Sequence, residues 1–291
     1  MSASRIALIG FGEVGQTLAE DLVAAGVAGL SAFDALFSDP DSLPSRALAT
    51  HPAVRAAASH ADAVAGADLV ICAVTAAQDL AAAEAVAEGI APGALFLDLN
   101  SASPAMKIEA ARRVDGAGGC YVEAAVMSPI GPKRIASPML LGGPHGAAFL
   151  ALAAPLGFTG ASLYSDVVGK ASAAKMCRSV IIKGLEALLT ESLLAARHYD
   201  VLETVVESLG DLLPLPDWEG RARYMISRSV EHGVRRAEEM RESAATVAEA
   251  GVDPLMTRMT VLRQEDAARH RAALIHAGLA PLLDAMLSEA P

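Results

Sequence analysis

Two groups of residues in this sequence have the types and spacing to do chemistry. The first is Gly10-Phe-Gly12-Glu-Val-Gly15, which follows the apolar run Ile6–Ile9 and precedes an amphipathic stretch with Leu18, Leu22 and Val23. In that context Gly10 is expected to make a tight turn and Gly12 to let backbone approach a pyrophosphate. Gly15 would let a helix pack close to its strand. The helix start presents unpaired N–H groups and a positive dipole end to phosphates. Phe11, Glu13 and Val14 belong to the same candidate cofactor loop. Asp34 stands 19 residues after Gly15, at the end of a second apolar run, Leu30–Phe33. A carboxylate there can bind the ribose hydroxyls of NAD and repel a 2′-phosphate. NAD is the expected cofactor. NADP stays possible, because Arg46 in the following loop can reach a 2′-phosphate.

The second group is Gly169-Lys170-Ala-Ser-Ala-Ala-Lys175-Met-Cys-Arg178-Ser179. On a helix, Lys175, Arg178 and Ser179 share a face. Their neighbours are mostly apolar. Desolvation and a nearby arginine would lower the lysine's pKa toward neutrality, which suits a general acid–base group. Arg178 can also clamp a carboxylate. The alternative is a solvated helix edge from which the lysine snorkels out.

These groups need elements to hold them. Strands are expected at Val54–Ala58, Asp68–Val74, Ala94–Leu99, Cys120–Val126, Pro138–Leu141 and Ala161–Tyr164. Helices are expected at Ala77–Gly89, after the Ser103-Pro104 cap, and at Ala147–Leu156. Residues 38–52 read as a loop. Alternating strands and helices imply a parallel, doubly wound sheet. Ligands in such a sheet sit beyond the carboxyl ends of the strands. That adds Val74, Thr75, Asn100, Ser101 and Ser128 to the candidates. Asn100 is read as a contact for a carboxamide or a substrate oxygen, and Ser101 and Ser103 equally as helix caps. From about residue 166 no strand appears. Helices are expected over Val167–Arg197, from Asp217 to Gly251, and from Asp253-Pro254 to Gly278. His232, among Arg228, Arg235 and Arg236, is a candidate substrate contact or a surface histidine. Arg235-Arg236 with Glu238-Glu239 read as a solvated ion-pair face, and Trp218 as a packing anchor.

Composition narrows the field. The 291 residues are 53 % hydrophobic, enough for a large core, and their net charge is −11. No basic stripe interleaved with aromatics points to nucleic acid. No signal peptide or membrane span is visible, so a cytoplasmic location follows by default. Cys72, Cys120 and Cys177 are isolated and odd in number, which argues against a disulfide framework; they read as small buried apolar residues. No Cys/His group has metal-ligand spacing, and no metal is expected.

The glycine fingerprint, the Asn100-Ser101 turn and the Gly169…Lys175 segment, in this order, resemble the β-hydroxyacid dehydrogenase family. The resemblance covers most of the chain. It implies a Rossmann domain at residues 1–165 and an all-helical substrate and dimerisation domain at 166–291. It also implies that Lys175 is the general acid–base while hydride passes to nicotinamide. Two departures stand out. The family has asparagine four residues after the lysine, where this chain has Ser179. The family's substrate turn reads D-x-P-V-S-G-G, and here Glu123-Ala-Ala-Val-Met127-Ser128-Pro129 lacks the glycines. The helical half resembles a less characterised subgroup with a 6-phosphogluconate-dehydrogenase-type NAD-binding domain. The expected activity is NAD(P)-dependent interconversion of a hydroxyl and a carbonyl on a small polar, anionic metabolite. Ser128, Arg178 and Ser179 would position that substrate, and the protein would be a homodimer. Imine reduction and a non-catalytic NAD(H) sensor are the alternatives.

Overall fold

The computed structural model describes residues 5–288 apart from 213 and 215. It divides between Met176 and Cys177 into two compact units.

The first unit is an eight-stranded sheet. In chain order its strands are β1 (Arg5–Ile9), β2 (Gly29–Phe33), β3 (Val54–Ala56), β4 (Leu69–Cys72), β5 (Leu95–Asp98), β6 (Cys120–Val126), β7 (Met139–Gly142) and β8 (Ala161–Ser165). They are arranged as β3-β2-β1-β4-β5-β6-β7-β8. Burial on both faces explains why β4, and β5 up to Asp98, read as apolar runs. Ile6 and Leu8 of β1 face one core with Leu69, Leu97 and Leu141. Ala7 and Ile9 face the other with Val70, Phe96 and Tyr121. Helix α1 (Glu13–Ala24) buries Leu18 and Leu22 against the first face. The order reverses between β1 and β4, which opens a crevice at the carboxyl ends of those strands.

The sheet is not wholly parallel. β7 runs antiparallel to β6. Residues 127–138 join the two without a crossover helix, and only an antiparallel neighbour can be reached that way. Helix α2 (Leu43–Ala49) lies where the sequence reads as a loop, with Ser42 accepting from the Ser45 N–H and a proline in its first turn. Helix α3 (His60–Val64), α4 (Asp79–Ala87), α5 (Pro104–Gly116) and α6 (Gly146–Ala153) complete the layers. As expected, Ser103 caps α5 through the Met106 N–H.

Helix α7 (Lys170–His198) leads into the second unit, where α8 (Leu202–Leu212), α9 (Trp218–Glu249), α10 (Leu255–Ala267) and α11 (Leu279–Ser288) follow. Trp218 packs with Ile226, Val230, Leu193 and Leu282 in the core of this unit. Two expectations need correction. The segment from Asp253 to Gly278 is not one helix: after Ala267 it tightens into a 3-10 stretch, Ala268–Ile275. The backbone leaves helical geometry there at His270, with φ −91° and ψ 29°. Helix α9 departs from helical geometry at His232, with φ −120° and ψ 15°. The next residue, Gly233, is buried, and a β-carbon there would collide with the Gln264 carbonyl. Another helix takes up the space that this glycine leaves.

Candidate active site

Gly10 has φ +93°, and a β-carbon on it would strike the Ala73 carbonyl between β1 and β4. A β-carbon on Gly15 would strike the Gly10 carbonyl, so this glycine lets α1 start directly against the turn. Gly12 differs: a β-carbon there meets nothing within 4 Å. Gly12 is also the N-cap of α1 and supplies no side-chain cap. The first N–H groups of the helix therefore face open space beside an exposed glycine. This cradle fits a dinucleotide pyrophosphate. Glu13 is exposed and Val14 half-buried at the same start, whereas the Phe11 ring is buried and packs near Phe37 and His51. Phe11 thus contributes its backbone to the loop and its ring to the core.

The Asp34 carboxylate accepts from the Phe11 N–H at 2.8 Å and the Leu36 N–H at 2.9 Å. Those bonds tie the glycine loop to the end of β2. A groove of about 830 Å³ opens beside it, lined by Asp34, Phe37, Ser38, Arg46, Leu48 and Ala57 among others. Arg46 sits on α2 rather than on a loop. Acid and base share the wall of the groove expected to take the adenosine end.

At the far side of the crevice, the Lys175 Nζ donates to the Ser101 Oγ at 2.6 Å. Lys175 belongs to the first turns of α7, and a buried carboxylate fixes that start. Glu123 on β6 accepts from the Gly169 N–H at 2.8 Å and the Ser172 N–H at 2.6 Å. A β-carbon on Gly142, paired across the sheet from Glu123, would collide with this carboxylate. A charged acceptor at a helix start satisfies orphan donors and complements the dipole.

The Asn100 amide, expected to face a ligand, is committed inside the protein. Its Oδ1 accepts from the Val74 N–H at 2.7 Å, and its Nδ2 donates to Asp79 at 2.7 Å and to the Cys72 Sγ at 3.3 Å. Behind it lies an ionic cluster that sequence reasoning missed. The Lys107 Nζ is 2.6 Å from Asp98 and 3.1 Å from Asp79, all three fully buried. Tyr121 donates to Asp98 at 2.6 Å. Burial, then the charge of Asp98, raises the Asp79 carboxyl to about 7. Burial alone would lower the Lys107 ammonium, but Asp98 and Asp79 outweigh it and hold it above its ordinary value. The Val74 backbone is thereby held, and Thr75 is exposed beside it.

Ser128 is half-buried in the β6–β7 connection, its hydroxyl turned to the Pro129 carbonyl at 3.2 Å. Arg134 tethers this connection to α1, bonding Asp21 at 2.7 Å, Glu20 at 2.6 Å and the Thr17 carbonyl at 3.2 Å. In the second unit Arg178 is exposed and Ser179 buried. His232 lies 3.1 Å from the Glu231 carboxylate. Burial, reinforced by Arg228, lowers its pKa. The solvated ion-pair face expected around it is only partly so. Arg236 flanks the buried Gly233–Ala237–Met240 stripe and pairs with Glu186, which is 4 % exposed, while Lys183 pairs with Glu239. Cys177 is exposed and Cys120 only half-buried, so of the three cysteines Cys72 alone is a core residue.

Residues 5–161 match the family described as the NAD binding domain of 6-phosphogluconate dehydrogenase. The chain belongs to that family. Residues 196–266 match a domain of unknown function, DUF1932. No curated protein matches the chain. Among solved structures, a conserved hypothetical protein from Sinorhizobium meliloti 1021 is 32 % identical over 98 % of this chain and 96 % of its own, with a TM-score of 0.76. The 3-hydroxyisobutyrate dehydrogenase of Mycobacterium tuberculosis is 18 % identical over 99 % of each chain, with a TM-score of 0.72. An imine reductase of Streptomyces aurantiacus is 20 % identical over 98 % of this chain and 99 % of its own, with a TM-score of 0.56. The last two likenesses establish the fold, which this member of the 6-phosphogluconate dehydrogenase NAD-binding family shares with dehydrogenases and reductases. Among the described residues no helix is long and apolar enough to cross a membrane.

Proposed function

We propose that the protein is an NAD(P)-dependent dehydrogenase or reductase that interconverts a hydroxyl and a carbonyl on a small, anionic metabolite. The observation that carries this reading is the Lys175–Ser101 pair at 2.6 Å, set at the β5 turn of a sheet whose β1 turn is a bare phosphate cradle. When bound, the nicotinamide supplies or accepts the hydride. The chain's own residues do the rest. Gly10, Gly12, Gly15 and the start of α1 hold the pyrophosphate, and Asp34 the adenine ribose. Lys175 gives a proton to the substrate oxygen as the carbonyl is reduced, or takes it as the hydroxyl is oxidised. A general acid–base so positioned contributes about 10²–10⁴-fold. The substrate role of Ser128, in the β6–β7 connection, is read from the sequence. Substrate roles for Arg178, Ser179 and His232 are read from the sequence.

The glycine-free turn Glu123–Pro129 supports a second reading, reduction of a C=N bond, because the usual receptor for a substrate carboxylate is missing. An absorbance assay at 340 nm decides between them. Purified protein is run with NAD and NADP on hydroxy acids and sugar acids, with NADH and NADPH on the corresponding carbonyls, and with ketone–amine pairs. Turnover on a carbonyl without amine supports the first reading, and strictly amine-dependent oxidation of cofactor the second. Tight cofactor binding with silence on every panel would sink both and leave a sensor.

A further inference from the structure

The buried cluster of Asp79, Asp98 and Lys107 has no part in the mechanism above, yet burying it is costly. Replacing such a cluster by apolar side chains is commonly neutral or stabilising, so its presence calls for another account. It faces the backs of the two turns that close the crevice. We propose that Asp79 is a positioning residue for the nicotinamide end of the site: through Asn100 it locks the turns after β4 and β5 together, and so sets where Ser101 meets Lys175. The inference rests on the proposed oxidoreductase reading.

Each link is a short contact. The Asp79 Oδ1 accepts from the Asn100 Nδ2 at 2.7 Å, and Asp98 accepts from the Asn100 N–H at 2.9 Å. Held in this way, the amide can turn only its oxygen toward Val74, whose N–H it takes at 2.7 Å. The next residue along the chain is Ser101, the partner of Lys175 at 2.6 Å. Without an acceptor at position 79 only the Val74 N–H still favours this orientation, and each flip of the amide turns its NH₂ group to that N–H and leaves it without a partner. Lys107 keeps Asp79 in place from the other side, 3.1 Å away.

Charge adds a signature that a purely structural contact would lack. The groups facing Asp79 are Asp98 from β5, Lys107 from α5, Tyr121 from β6, and Cys72 from β4 with Asn100 just after β5. Two carboxylates and one ammonium are neutral together only while one carboxyl keeps its proton. Low dielectric favours that state, and Asp79 is the group raised to about 7. Above that pH the cluster carries a net negative charge behind the two turns. An oxidised nicotinamide ring is cationic and a reduced one is neutral, so rising pH favours NAD⁺ over NADH.

The test measures NAD⁺ and NADH affinity by calorimetry and fluorescence from pH 6 to 8.5, for the unmodified protein, Asp79→Asn and Asp79→Leu. Acetylation of Lys175 by acetic anhydride is followed by mass spectrometry in the same samples. Asp79→Leu should weaken NADH binding about tenfold and change the Lys175 acetylation rate by a similar factor, the scale expected when a site's geometry is loosened. Asp79→Asn keeps an acceptor for Asn100. It should restore both values at pH 6, while the pH drift of the NAD⁺/NADH affinity ratio flattens. A folded Asp79→Leu protein with unchanged NADH affinity and Lys175 reactivity overturns the proposal, as does a drift that persists in Asp79→Asn. Should Asp79→Leu fail to fold, the drift in Asp79→Asn decides alone. No readout needs a substrate. Failure of the unmodified protein to bind either nucleotide defeats the oxidoreductase reading instead, and the acetylation comparison then still tests Asp79.

Discussion

Replacing Glu123 by glutamine probes how the fold delivers Lys175. The carboxylate is fully buried and accepts two backbone N–H groups, from Gly169 and Ser172, at 2.8 and 2.6 Å. A glutamine has the same shape but offers one acceptor and one donor. One N–H at the start of α7 then faces an NH₂ group. Losing one charge-assisted hydrogen bond costs about 1.5–3 kcal/mol, and the charge–dipole attraction adds up to about 1 kcal/mol. A total of about 3 kcal/mol corresponds to a fall in melting temperature of about 6–12 °C for a unit of this size. Differential scanning calorimetry reads it directly. Gly142→Ala attacks the same carboxylate from across the sheet, so the two substitutions should be strongly non-additive in a double-mutant cycle. A Glu123→Gln protein melting at the same temperature as its parent, or strict additivity with Gly142→Ala, would refute the reasoning.

Three other outcomes follow from the geometry. Asp34→Ala should weaken NADH and improve NADPH, because Arg46 then faces the groove without its acidic counterpart; equal affinities before and after, by fluorescence titration, would remove Asp34 from cofactor choice. The Asp79 carboxyl is raised to about 7 in the fold from an ordinary value of 3.8, so its contribution to stability is fully present below about pH 4 and is lost as pH rises through 7. The Asp79→Asn variant should therefore gain on its parent by about 1.4 kcal/mol per pH unit between pH 5 and 7 and level off above; denaturant melts with a constant difference would contradict this. Ile181 and Leu188 are 71 % and 60 % exposed, seven residues apart on α7, and the homodimer expected from the sequence would cover them; light scattering of the parent should give twice the chain mass, and Ile181→Asp should lower it.

The parts of this site that come from backbone shape were legible in the sequence. Gly10 and Gly15 are needed because neighbouring carbonyls leave no room, and their spacing after an apolar run announces it. β4, and β5 up to Asp98, announce themselves for a similar reason, since strands buried on both faces are apolar along most of their length. The parts that come from tertiary pairing were not. Asp79, Asp98 and Lys107 have no motif spacing, although the last two left a trace. Asp98 interrupts an apolar strand, and Lys107 occupies the same helical stripe as Ala110, Ala111 and Val114. Glu123 likewise sits inside the apolar run of β6. A charge at a core position is the signal that finds all three. Asn100 was legible as important but not in its role, because a turn asparagine reads the same whether its amide faces a ligand or a buried carboxylate. The antiparallel β7 was hidden because the pattern of a strand does not encode its direction.

The central claim is that Lys175 moves the proton in a nicotinamide-dependent reaction. Lys175→Met, assayed at 340 nm on whichever substrate the panel identifies, tests it most directly, with NADH affinity measured on the same sample. The account predicts a loss of turnover of at least about a hundredfold with NADH affinity nearly unchanged. Turnover equal to that of the unmodified protein would contradict it.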